Sequence, residues 1–267
     1  MTVSPSYRQR EYRYIPGKLP VTFDNGASDK KLIALTFDGG DLANAAEAIL
    51  DTLKSRDVLA TMFLTGTFIR KNEGLVRMIV ADGHEVGNHT TTHPHLTSWV
   101  ETRSQTTLAG ITAEVIHKEL VTANTCFNKV TGSDMLPIWR APYGERNREI
   151  CLWAQQSGYL HIGWKQARYW RQNFDTNDWV PDPETPGYYT PEETLKKFNA
   201  LADLQPFGMN GAIILMHLGT QRKQKDQQIH LILGLLIDQL REKGYAFVPI
   251  SVLLKESGVD ISLLDQS

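Results

Sequence analysis

Between residues 32 and 250 the chain alternates short apolar, partly β-branched runs with segments whose apolar residues recur three and four positions apart. Strands are expected at 32–38, 59–65, 84–88, 136–140, 159–164, 211–217 and 245–250. Helices are expected at 42–56, 67–82, 111–130, 146–157, 190–204 and 226–243. Each strand but one is followed by a helical pattern. That alternation confines the chain to an α/β fold with a mostly parallel sheet and right-handed crossovers. No dinucleotide-binding glycine fingerprint is present. Closure of about seven strands into a distorted (β/α) barrel is therefore favoured over an open sheet.

Residues 1–30 read as an irregular lead-in, with Pro5, Pro16, Pro20 and the turn-like Asp24-Asn25-Gly26. Residues 31–267 read as one domain. A hydrophobic fraction of 41% over 267 residues is ample for a single core. The net charge of -2 argues against a nucleic-acid or anionic-membrane surface. No apolar run is long enough for a membrane span. Met1–Lys18 is polar and lacks the apolar segment of a signal peptide. The protein is expected in the cytoplasm, or secreted or at the cell envelope if a signal has been removed. Cys126 and Cys151 fall on expected helices among apolar neighbours and read as buried free thiols. The apolar face at Ile229, Ile232, Leu233, Leu236, Ile237 and Leu240 is expected to pack on the barrel, and it leaves the oligomeric state open.

Chemistry-bearing residues gather at the ends of the expected strands, the edge where α/β folds place their sites. Asp38 ends the first strand, Gly39-Gly40 follow, and Asp41 opens the next helical pattern, where it also suits an N-cap. His89 and His93 follow the third strand, four residues apart. A tight turn there could offer both rings to one metal ion, or leave two polar loop histidines. Arg140, before the turn at Pro142-Tyr143-Gly144, could hold a carboxylate in a two-pronged pair. Asp175-Thr176-Asn177-Asp178-Trp179 has strong turn composition within an aromatic stretch at 165–190. Its Tyr169, Trp170, Phe174, Trp179, Tyr188 and Tyr189, with Trp164 just before, suit sugar-ring stacking and equally a hydrophobic plug. His217 ends an apolar strand and reads either as a core histidine or as an acid–base group tuned by a carboxylate. His117, His161 and His230 fit helix or strand interiors, and His84 and His95 lack a partner at metal spacing.

Five of these segments occur in the order of one family's motifs. The chain resembles the polysaccharide deacetylases of carbohydrate esterase family 4, which share the NodB-homology domain. The matches are Thr36-Phe37-Asp38-Gly39-Gly40, His89-Thr90-Thr91-Thr92-His93, Arg140-Ala141-Pro142-Tyr143-Gly144, Asp175 to Trp179, and Leu215-Met216-His217. The resemblance spans about residues 32 to 250. It implies a distorted (β/α) barrel and metal-dependent removal of acetyl groups from an acetylated polysaccharide or oligosaccharide. By analogy Asp38 is the general base, Arg140 orients it, and His217 is the acid, with Asp178 behind it. The Tyr143 N–H supports the oxyanion, and Trp179, Leu215 and Pro142 bind substrate. His89 and His93 hold a divalent ion, zinc first, with cobalt, nickel or manganese also accepted.

One motif departs from the family. Its usual second Asp, the third metal ligand, is Gly39 here, which has no side chain to coordinate with. Asp41 is the expected substitute, swung back by the flexible glycine turn. The leading expectation is N-deacetylation of N-acetylglucosamine in chitin-like chains or peptidoglycan. O-deacetylation of acetylxylan would use the same water attack. A carbohydrate-binding pseudoenzyme and an amidase acting on small molecules are the readings from other classes.

Overall fold

The computed structural model describes residues 11–165 and 173–266. Its strands are β1 (Thr22–Phe23), β2 (Leu32–Gly39), β3 (Thr61–Leu64), β4 (Glu85–Asn88), β5 (Ile138–Trp139), β6 (Leu160–Ile162), β7 (Ala212–His217) and β8 (Ala246–Phe247). All pairings are parallel, in the order β1-β6-β5-β4-β3-β2-β7, with β8 against the first residues of β2. The seven expected strands are all present and curl into a half-barrel. Its two edges are β1 and β7. Asp175 partly covers the β7 edge through a parallel bridge to Leu215.

The helices are α1 (Ala46–Ser55), α2 (Gly66–Lys71), α3 (Glu73–Ala81), α4 (Trp99–Thr102), α5 (Ala113–Thr131), α6 (Arg148–Gln156), α7 (Pro191–Ala202), α8 (Leu233–Glu242) and α9 (Ile250–Glu256). Three differ from the periodicity for identifiable reasons. α1 starts late because Asn44 is bound to Thr220 through both backbone groups and Ala45 N–H donates to Leu218 O. The expected helix at 67–82 breaks at Asn72, whose backbone leaves helical values and whose side chain bonds Phe68 O. The expected helix at 226–243 becomes regular only at Leu233, because Arg222 draws the Gln227 carbonyl out of line. Missed altogether were β1, α4 and α9. β1 lies inside the lead-in, where both carboxylate oxygens of Asp24 accept from Nη2 of Arg146, just before α6. Tyr169 and Trp170 lie outside the described residues. Cys126 and Cys151 are free, half-buried and buried respectively.

The period of two along β2 decides where chemistry sits. Ile33, Leu35 and Phe37 face the helical layer and pack with α1 and α8. Ala34 faces the concave side with Phe63, Ile213 and Leu215. Thr36 and Asp38 share that inner face, so the last inward side chain of a fully apolar strand is an acid.

β4 must lie close to its neighbours for Asn88 and His89 to reach the same mouth. At Gly87 an added Cβ would stand 2.7 Å from Phe63 Cε1 and 3.0 Å from Ile138 Cγ1. Gly87→Ala is expected to cost about 1–3 kcal/mol by overpacking. Thermal unfolding checks it, at roughly 2–4 °C of Tm per kcal/mol for a chain of this size. An unchanged Tm would show that the strands are not packed this closely.

Candidate active site

The strand ends bring two charged pairs to one cleft. Arg140 leaves β5 fully buried, and its Nη1 donates to Asp38 Oδ1 at 2.8 Å and to Thr36 Oγ1 at 2.9 Å. Nε donates to Ile162 O at 3.2 Å, and the guanidinium lies 4.2 Å from the Phe63 ring centroid. Burial alone would raise the Asp38 carboxyl. Arg140, with smaller contributions from His89 and His217, outweighs it and holds Asp38 below the ordinary carboxylate value.

The second pair is His217 with Asp178. Asp38 and His217 are direct partners in the β2–β7 register. Asp178 accepts the His217 backbone N–H at 2.8 Å and pairs with Nδ1 at 2.7 Å. Burial opposes charge on this ring, yet Asp178 and then Asp38 raise its pKa to about 9. At neutral pH His217 is an imidazolium, and among the described residues nothing else engages its Nε2.

The two histidines of the turn after β4 form the third part. Thr90 and His93 take left-handed backbone conformations, φ 67° and 59°. Glu119 on α5 holds the turn by accepting the N–H groups of Thr91 and Thr92, each at 2.8 Å. His89 Nδ1 faces the Arg140 carbonyl at 2.9 Å and must be protonated to donate to it. The His89 Nε2 lone pair is thereby left outward, 3.2 Å from His93 Nε2. Burial lowers both rings, His93 to about 3, so both are neutral. Converging neutral imidazoles, one fixed in tautomer by a carbonyl behind it, fit two ligands of a zinc-type ion. The third ligand is another matter. Among the described residues no group of three or more His, Cys, Asp or Glu side chains is gathered as for a metal. The carboxylate nearest the pair is Asp38, with Oδ2 at 3.6 Å from His89 Nε2.

Asp41 is not brought to the histidines. Its carboxylate is 66% exposed at the cleft rim and is ion-paired with Lys71 at the end of α2. It is not the N-cap of α1 either, because that position is Ala45, four residues later. The position of the family's second Asp is tightly packed as well. A Cβ at Gly39 would stand 2.7 Å from Leu64 Cδ2 and 3.2 Å from Phe68. Pro142 lies behind the cleft wall rather than on it. It is buried at the first position of the turn 142–144, where its fixed φ shapes the backbone, and it does not line the cleft. Trp179, Leu215 and Tyr143 do line it. Tyr143 sits at φ 56°, and its N–H has no acceptor among the described residues.

Sequence reasoning missed four contributors. His95 stacks on Tyr143 at 4.0 Å and pairs with the fully buried Glu145 at 2.8 Å. Trp99 and Arg103 line the cleft from α4 and the residue that ends it. His95 and Glu145 are fifty residues apart, and only the fold makes them neighbours. The cleft encloses about 730 Å³, a typical size for a ligand site.

A paired carboxylate and imidazole at strand ends, beside two converging histidines, make a hydrolase-like α/β site. A polysaccharide deacetylase model matches residues 25–162, and the chain belongs to that family. Peptidoglycan-N-acetylglucosamine deacetylase PgdA of Listeria monocytogenes is 32% identical over 248 residues, 91% of this chain and 43% of its own length. This chain therefore spans less than half of that relative. A chitooligosaccharide deacetylase of Bradyrhizobium is 28% identical over 235 residues, 85% of this chain and 92% of its own. Among solved structures, a CE4 family pseudoenzyme from Bacillus anthracis aligns with TM-score 0.68 at 26% identity, covering 88% of this chain and 69% of its own.

The opposed tuning of Asp38 and His217 sets a pH profile. Asp38 is held below the ordinary carboxylate value and His217 is raised to about 9. Any turnover should therefore be flat through neutrality with an alkaline limb near 9. Asp178→Asn removes the charge that raises His217, so that limb should move to lower pH while kcat falls. A limb that stays in place would rule out Asp178 as its cause.

Proposed function

We propose that this chain hydrolyses acetyl groups from N-acetylated sugar units of a polysaccharide, with N-acetylglucosamine in peptidoglycan or chitin-like strands as the substrate class. The supporting observation is that a carboxylate paired with Arg140 and an imidazole paired with Asp178 face one cleft from partnered residues of neighbouring strands. Asp38 takes a proton from the water that attacks the acetyl carbonyl, and Arg140 holds the carboxylate in place. The Tyr143 N–H donates to the oxyanion that forms, a contact worth about 2.7–4 kcal/mol in comparable sites. His217 gives its Nε2 proton to the leaving nitrogen as the C–N bond breaks. The products are acetate and a free amine, so the water is fully accounted for. An O-acetyl ester follows the same sequence with an alcohol leaving. On this reading the protein works at the cell envelope.

His89 and His93 are the residues that would hold a divalent ion, with zinc the first expectation from their donor chemistry. When bound, such an ion supplies Lewis-acid polarisation of the carbonyl and a lower pKa for water. A second reading, a carbohydrate-binding protein without turnover, is favoured by one observation: the missing third ligand at Gly39. Against it stands the retention of both tuned pairs, which binding alone does not need.

Acetate release from acetylated chitin oligomers, peptidoglycan and acetylxylan, measured alongside elemental metal content, separates the readings. Release that is lost on chelation, with near-stoichiometric metal, is the expected result. Asp38→Asn and His217→Ala should each lower kcat by about 10²–10⁴. Folded protein that releases no acetate from any of the three would leave the binding reading. His93→Ala should abolish metal retention. Asp41→Asn should leave metal content as it is, because Lys71 already holds that carboxylate; loss of metal in that variant would return Asp41 to the ligand set.

A further inference from the structure

The charges that line the cleft are unevenly partnered. Asp38 is held by Arg140 and Asp41 by Lys71. Glu145 accepts from His95 and from the N–H groups of Leu96 and Thr97, and Asp175 accepts the Asn177 N–H. Arg103 is the only Lys or Arg among the described lining residues, and it makes no ion pair with a described carboxylate. Its guanidinium lies 5.9 Å from the Trp99 ring centroid.

Two further observations mark this pair as more than surface decoration. Arg103 ends α4 in the left-handed region, φ 56°, a place where glycine is the unstrained choice. A large cationic side chain there is retained against its backbone preference. Beside it Trp99 is 39% exposed, and Tyr143 and Trp179 on the same cleft are about half exposed. Large rings left open at the wall of a cleft are an unpaid cost unless something apolar covers them.

We propose that Trp99 and Arg103 form a subsite for an acidic sugar, with a pyranose face on the indole and a carboxylate substituent on the guanidinium. This rests on the deacetylase reading and narrows its substrate: a strand in which a carboxylate-bearing unit adjoins the N-acetylated one. A neutral chitin chain has the ring for Trp99 but nothing for Arg103. Arg suits the task because its planar fork matches a carboxylate and can stack on an aromatic face at the same time.

The test uses three polymers: peptide-free peptidoglycan strands with free lactyl carboxylates, the same strands with those carboxylates amidated, and N-acetylchitooligomers. Acetate release and equilibrium binding are both measured for wild type, Arg103→Gly, Arg103→Lys and Trp99→Ala. Arg103→Gly relieves the left-handed strain, so its Tm should not fall, and a folded variant is assured. For wild type, kcat/KM and affinity should be higher on carboxylated than on amidated strands. Arg103→Gly should shrink that ratio by roughly fivefold, the scale of one exposed charge pair. Arg103→Lys should restore part of it, and Trp99→Ala should weaken all three polymers. A ratio unaffected by Arg103→Gly overturns the proposal. If no polymer releases acetate the deacetylase reading fails, and the binding ratio alone then decides for or against the subsite.

Discussion

The site depends on one buried ion pair. Taking a carboxylate and a guanidinium out of water costs several kcal/mol per ion, and attraction between them recovers this only when the remaining donors and acceptors are satisfied. Here they are. Arg140 divides its donors among Asp38, Thr36 and the carbonyls of Ile162 and Gly163, with Phe63 against its face. The Asp38 carboxyl is therefore held below its ordinary value in a place where burial alone would raise it. The same guanidinium tethers β2, β5 and the end of β6 at the mouth of the half-barrel. Its own backbone carbonyl fixes the tautomer of His89. One residue thus sets the charge of the base and the orientation of the first imidazole.

The acid half is built by strand register. Because Asp38 and His217 are paired across β2 and β7, their spacing follows from backbone hydrogen bonding rather than from loops. The segment carrying Asp178 is stitched onto β7 as a partial extra strand. Leu215 N–H donates to Phe174 O, and Thr176 N–H donates to Leu215 O. That stitching delivers Asp178 behind His217, where it accepts from ring and backbone together. Lys197 on α7 secures the same segment through the Asp175 carbonyl at 2.6 Å. An open barrel edge, usually a liability for a sheet, is here closed by the loop that tunes the acid.

What could be read from the residues alone follows the range of the forces involved. Strand positions and the place of Asp38 at a strand end depend on local periodicity, and both were visible. His217 and Arg140 were recognisable because strand ends in α/β folds converge. Interactions between distant segments were not visible. Glu145 binding His95, Arg222 unwinding the start of α8 and Asn44 delaying α1 are all pairings that no local pattern encodes. Asp41 shows how a surface partner competes with an inward position. Two glycines gave its backbone freedom to turn inward, but a lysine at the end of α2 offered its carboxylate a partner at the surface. That partner costs no desolvation, whereas the inward route would bury a charge.

Gly39 shows why a ligand cannot be counted by sequence alignment alone. A Cβ at this position would meet Leu64 of β3 and Phe68 of α2, both fully buried in the helical-side core. Restoring an acid there would require the Leu64 side chain to shift. Phe68 is held in turn by the Thr65 hydroxyl, which accepts its N–H and donates to Gly40 O. The Asp38–His217 pair is locked by Arg140 and the β2–β7 register, and the imidazole turn rests on the β4 end and Glu119. Arg140 joins the two, through its side chain to Asp38 and through its carbonyl to His89. A change at the imidazoles therefore reaches Asp38, whose lowered pKa owes part of its shift to His89.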